Sequence, residues 1–291
     1  MGEAERTLLQ VFAALFGLVV GSFLNVCIFR LPRHCMSVVR PRSRCPRCLR
    51  TIPWYDNIPV LSWVALRGRC RGCRAPISPR YAAVELLTGA LFAWAAARQL
   101  WGPSEPGARE AAVFLVHAWF LGSMVVCAFI DLDFRILPDE VTLPGVVLGL
   151  AVSAAFPFLH ERGLPGAIGN RHLAGLAASA LGAVVGGGTL WGVGVVGKLV
   201  FRKEAMGFGD VKYMAMIGSV LGWKGVLLTF VLACLFGSLV GVGKYVAVRR
   251  MGYVPFGPFL SAGALVMLLA PEWADRALRA YLEFLRGPAL H

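Results

Sequence analysis

Eight stretches of this chain are long, apolar and nearly free of charge: 8–29, 82–100, 111–130, 141–159, 173–200, 211–223, 225–248 and 256–270. A helix needs about 20 apolar residues to cross a bilayer. Lipid offers no partner to a bare peptide group, so only helices and closed barrels cross it. The runs are too long, and alternate too little, for barrel strands. The chain therefore reads as an all-α polytopic membrane protein of about eight transmembrane helices. The run 211–223 is short, and reads as a half-span or a tilted partner of the next one. With 57% hydrophobic and 15% charged residues, the chain is poorer in charge than soluble domains, which carry about a quarter. The first run follows an acidic start (GEAER) and ends without a small-residue cleavage site, so it is expected to be a retained span.

Charge divides what composition unites. The net charge is +13, and residues 30–80 hold twelve arginines against one acid, Asp56. The positive-inside rule puts that segment on the cytoplasmic side. Counting spans forward brings 131–140, 198–212 and 249–254 to the same side. The chain is expected to divide into a first transmembrane helix (1–29), a cytoplasmic insert (30–80), a transmembrane bundle (81–270) and an amphipathic tail (271–291). No internal repeat of fixed period is evident. The glycines of 163–197 read as close-packing positions between helices.

The insert carries Cys45-Pro-Arg-Cys48 and Cys70-Arg-Gly-Cys73, with 21 residues between the pairs. A two-residue gap lets one turn aim both sulfurs at one metal, and four thiolates suit tetrahedral zinc. Disulfides are the alternative, but cytoplasmic thiols stay reduced. A redox role is another, but two pairs favour a structural metal. The expectation is a small zinc-ribbon-like insert whose closed four-sulfur site does no chemistry. Cys27, Cys127 and Cys234 are expected to pack as small hydrophobes, and Cys35 has no assigned role. A basic zinc ribbon can bind nucleic acid. Here, however, the arginines flank spans, and Trp54, Tyr55 and Trp63 sit among apolar residues. That pattern points to membrane lipids, not nucleic acid, as the surface partner.

Two segments put a carboxylate beside a span: FIDLDFRILPDE with Asp131, and MGFGDVK with Asp210. An ionisable group there is costly and marks a functional site by default. Pro138 stops the chain after the first acid, and Gly207 and Gly209 leave room for a peptide beside the second. A plain N-cap at Asp210 and a solvated helix end at Asp131 explain each acid equally well alone. Together they offer more. Two close carboxylates cannot both ionise cheaply, so one keeps its proton while the other activates water. Lys212 either stabilises Asp210 or anchors at head groups. Asp139 supports the turn or a substrate, and Glu85 reads as a buried hydrogen-bonding group.

On these residues the chain resembles the bacterial type IV prepilin peptidases, intramembrane aspartic proteases of the GxGD class. The likeness covers nearly the whole chain. GSFLNVCIFRLPR, the CxxC pairs around WYDNIPVLSW, RYAAVELLTG, IDLDFRILPDE, MGFGDVK and VPFGPFLSAG follow in the family's order. The resemblance implies Asp131 and Asp210 as catalytic residues, with Asp131 favoured over Asp133. It implies cleavage of a basic leader after a Gly, from type IV prepilins or type II secretion pseudopilins, at the cytoplasmic face of the bacterial inner membrane. It also implies N-methylation of the new terminus with S-adenosylmethionine, for which no binding residue is named. Rival readings are a peptidase without methyltransferase activity, a transporter, and a membrane scaffold with a zinc-ribbon docking module.

Overall fold

The computed structural model describes residues 2–33, 37–100, 107–163, 169–202, 206–249 and 254–269, with residue 276. Cys35 and nearly all of the tail 271–291 lie outside these. The α-helices are α1 (Glu3–Arg30), α2 (Leu61–Ala65), α3 (Arg80–Leu100), α4 (Ala108–Phe134), α5 (Asp139–Ala155), α6 (Arg171–Phe201), α7 (Phe208–Val248) and α8 (Gly257–Leu269). Among the described residues there is no strand, only two isolated bridges in the insert.

Among the described residues, four helices are long and apolar enough to cross a membrane: Glu3–Arg33, Ala108–Phe134, Arg171–Val200 and Phe208–Ala247. The expected eight is not reached by length and composition, for identifiable reasons. α3 carries Arg80, Glu85 and Arg98. α5 ends at Ala155, short of the expected 159, because the chain turns into a 3-10 segment at Pro157. α8 has 13 residues.

The expected runs 211–223 and 225–248 are both parts of α7, which has 41 residues. At about 1.5 Å per residue that is roughly 60 Å, twice the hydrocarbon thickness. The helix breaks at Gly222, whose φ of 72° and ψ of 175° suit glycine alone. The sequence put the division two residues later.

The chain forms two compact units, Met1–Ile130 and Asp131–His291. In the first, α1 packs on α3. The buried positions of α1, Ala13, Gly17, Gly21, Leu24 and Ile28, recur at three or four residues and make one stripe. A Cβ at Gly17 would lie 2.8 Å from the Cα of Gly89, so the two helices meet backbone to backbone. In the second unit α7 packs against α5, α6 and α8. Its inner face carries Tyr213, Met214, Met216, Ile217 and Val226, all fully buried. Gly182 of α6 faces Gly218 of α7 with no room for a Cβ on either. This is the close packing expected of the glycine-rich stretch.

Candidate active site and metal centre

α4 ends where Arg135 takes a left-handed φ of 58° and donates its N–H to the Asp131 carbonyl at 3.0 Å. Residues two apart on a helix point to opposite sides. Asp131 is accordingly buried, at 4% exposure, while Asp133 is exposed. The chain then reaches Pro138, which caps α5 with extended backbone.

Asp131 Oδ2 accepts the backbone N–H of Gly257 at 2.8 Å. Gly257 is the first residue of α8, so the carboxylate also meets the positive end of that helix. A Cβ at Gly257 would lie 2.8 Å from Oδ2 and 3.2 Å from the Asp131 Cβ. Only glycine fits there. Ser261, one turn on, donates to the Gly257 carbonyl at 3.0 Å and shares a 2.7 Å hydrogen bond with the Tyr213 hydroxyl.

Tyr213 ties this arrangement to the second acid. Asp210 lies three residues before Tyr213 on α7, so the two share a helix face. That face meets the start of α8, where Asp131 is bonded. Asp210 is half-buried in the first turn of α7, after the N-cap Gly207. It feels the charge of Asp131 directly. A Cβ at Gly209 would lie 3.2 Å from the Cβ of Leu137, so the glycine loop packs against the segment that follows Asp131.

Other acids and bases have separate partners. Lys212 does not serve Asp210; its Nζ holds both carboxylate oxygens of Asp139, at 2.6 and 2.8 Å. Glu85 is buried and accepts the N–H of Val60 at 2.8 Å, as expected of a structural hydrogen bond. Cys27 and Cys127 are buried, but Cys234 is on an exposed side of α7. Sequence reasoning quoted VPFGPFLSAG without a role for Gly257. A glycine just before a proline, opening an apolar run, was the available signal.

The insert's four sulfurs, of Cys45, Cys48, Cys70 and Cys73, all lie within 4.8 Å of one another. Tetrahedral zinc with sulfurs at about 2.3 Å requires separations of about 3.8 Å. Cys45 and Cys73 stand 3.7 Å apart, so the donor set fits the metal. The N–H groups of Cys48 and Arg47 hold the Cys45 thiol down at about 6, ready as a thiolate ligand.

The two cysteine turns are copies. Cys45 N–H bonds the Arg50 carbonyl at 3.0 Å, and Cys70 N–H bonds the Ala75 carbonyl at 2.8 Å. Leu49 and Arg74, each just after its second cysteine, are left-handed with φ of 57° and 59°. The bridges Arg44–Thr51 and Arg69–Pro76 close both turns. The backbone hydrogen bonding thus repeats along with the CxxC spacing. Arg71, in the second turn, grips the insert's one acid, Asp56, through Nε and Nη2 at 2.7 to 3.1 Å.

The family model described as Bacterial Peptidase A24 N-terminal domain matches residues 15–99, and that of the Type IV leader peptidase family matches residues 118–242. A prepilin leader peptidase/N-methyltransferase of Myxococcus xanthus is 44% identical over 246 residues, which is 84% of this chain and 66% of that protein. The protein of the same description from Aeromonas hydrophila is 38% identical over 293 residues, 92% of each chain. That of Pseudomonas aeruginosa is 35% identical over 297 residues, 93% of this chain and 92% of its own. No solved structure gives a significant match.

Proposed function

The chain belongs to the type IV leader peptidase family, and on that footing we propose that it removes the leader from type IV prepilins or type II secretion pseudopilins with Asp131 and Asp210 as catalytic acid and base. Membership of this family displaces the transporter and scaffold readings. The observation that supports the dyad is that Asp131 and the helix face carrying Asp210 both meet α8. Asp131 is bonded to Gly257, and Asp210 shares a face with Tyr213, which reaches Ser261.

The chemistry follows from two carboxylates sharing one proton. The ionised one takes a proton from water as that water attacks the scissile carbonyl. The protonated one gives its proton to the carbonyl oxygen. The tetrahedral adduct then collapses: one of its hydroxyls returns a proton to the acid that gave it, and the departing amine leaves with the proton taken from water. No covalent enzyme intermediate is needed. A scissile Gly would leave space for extended backbone between the acids. The leader would be met at the cytoplasmic face of the inner membrane, on the side where the arginine-rich insert lies by the positive-inside rule.

The same protein would then methylate the freed amine, using S-adenosylmethionine as donor. Cys45, Cys48, Cys70 and Cys73 would hold zinc, which supplies a cross-link to the insert and no reaction step. Exposed Trp54, Leu61 and Val64, with the arginines around them, suit contact with lipid head groups.

The test is a cleavage assay on a purified prepilin in detergent, with wild type, Asp131→Ala and Asp210→Ala. Both variants are expected to leave the leader attached while remaining folded. Processing by either at the wild-type rate would refute the dyad. Labelled S-adenosylmethionine in the same mixture reads the second activity.

A further inference from the structure

We propose that Lys212 and Asp139 form a positioning clamp that sets the separation of Asp131 and Asp210; the inference rests on the dyad reading above. Lys212 follows Asp210 by two residues near the start of α7, which turns its side chain to the opposite side of that helix. There it holds Asp139 through both carboxylate oxygens, at 2.6 and 2.8 Å. Its ammonium also lies 5.1 Å from the Phe208 ring, one turn earlier on α7.

Asp139 opens α5, eight residues beyond Asp131, so the ion pair joins the start of the Asp210 helix to the segment leaving the Asp131 helix. A second contact is that of Gly209 with Leu137. The two segments therefore touch at two points, Leu137 on Gly209 and Asp139 on Lys212. The last is a directional contact between charged groups, and it sits near the start of both α5 and α7. Asp139 keeps 53% of its side chain exposed, so the pair adds little to global stability. Its consequence is geometric. An error of about 1 Å in the position of a catalytic group can cost 10²-fold in rate.

Lys212→Met, Asp139→Asn and the exchanged pair Lys212→Asp/Asp139→Lys would be compared with wild type in prepilin cleavage. The single variants are expected to lose about tenfold to a hundredfold in kcat, with KM within about twofold, and the exchanged pair to recover most of the loss. Thermal midpoints in detergent are read on each. Loss of kcat at an unchanged midpoint supports the clamp, and loss that only tracks a lowered midpoint overturns it. Singles with wild-type kcat, or an exchanged pair no better than the singles, also overturn it. Asp210→Ala runs alongside. If it still cleaves, the dyad reading falls; if it is dead while Lys212→Met is fully active, only the clamp falls.

Discussion

The backbone N–H of Gly257 points at Asp131 Oδ2 across 2.8 Å, binding the first residue of α8 to a carboxylate 126 positions earlier in the chain. The contact requires the absence of a side chain, since a Cβ would sit 2.8 Å from that oxygen. Gly257→Ala is expected to displace either the carboxylate or the helix start and to lower leader cleavage at least about 100-fold. Expression and zinc content should stay at wild-type levels. Wild-type cleavage by this variant would mean that the hydrogen bond is dispensable.

Asp133 provides the control for the assignment of the first acid. It is exposed and lies on the other side of α4 from Asp131. Asp133→Asn is expected to keep kcat within about threefold of wild type, because an exposed substitution of this kind rarely alters geometry. A collapse of activity equal to that of Asp131→Ala would transfer the catalytic role, or part of it, to Asp133.

The copied cysteine turns predict a metal effect confined to the insert. Cys45→Ser or Cys73→Ser removes one of four ligands and should reduce bound zinc well below one per chain. Limited proteolysis between residues 37 and 79 should then accelerate. Full zinc occupancy in either variant, measured by atomic absorption, would rule out the four-sulfur site.

Parts of this arrangement are legible in sequence because they rest on local chemistry. A CxxC turn aims two sulfurs whatever surrounds it, and the positions two apart of Asp131 and Asp133 set their opposite directions. The break in α7 corresponds to the boundary between the expected runs 211–223 and 225–248, although Gly222 is where the backbone turns. Other parts depend on contacts far apart in the chain. Nothing near Gly257 says that its N–H meets an acid at 131, and Lys212 lies much closer in sequence to Asp210 than to Asp139. The likeness of the two cysteine turns beyond their CxxC spacing is carried by backbone hydrogen bonds and bridges. The count of about eight spans is not confirmed by helix length and composition among the described residues. α5 is cut short at the Phe156–Pro157 turn, and two expected spans share one broken helix.

Gly222 supplies a stability prediction. With φ of 72° and ψ of 175°, any other residue there is strained. Gly222→Ala is expected to cost about 1–3 kcal/mol and to lower the thermal midpoint in detergent. Its added methyl would also lie 3.4 Å from His160 Nδ1. An unchanged midpoint would show that α7 can run straight through this position.

Val60 stores strain of the same kind in the insert, and Glu85 holds it. Val60 has φ of 61° and ψ of −50°, rare for a β-branched residue. Leu61 N–H closes the turn on the Pro59 carbonyl at 2.6 Å, and Val60 N–H donates to Glu85 Oε2 at 2.8 Å. Glu85→Ala leaves that N–H without its acceptor, at a cost of about 1–3 kcal/mol. Val60→Gly removes the backbone strain that the carboxylate restrains. The double variant Val60→Gly/Glu85→Ala should therefore be less destabilised than the sum of the two single changes. Strict additivity of the three melting shifts would mean that the carboxylate does not hold the turn.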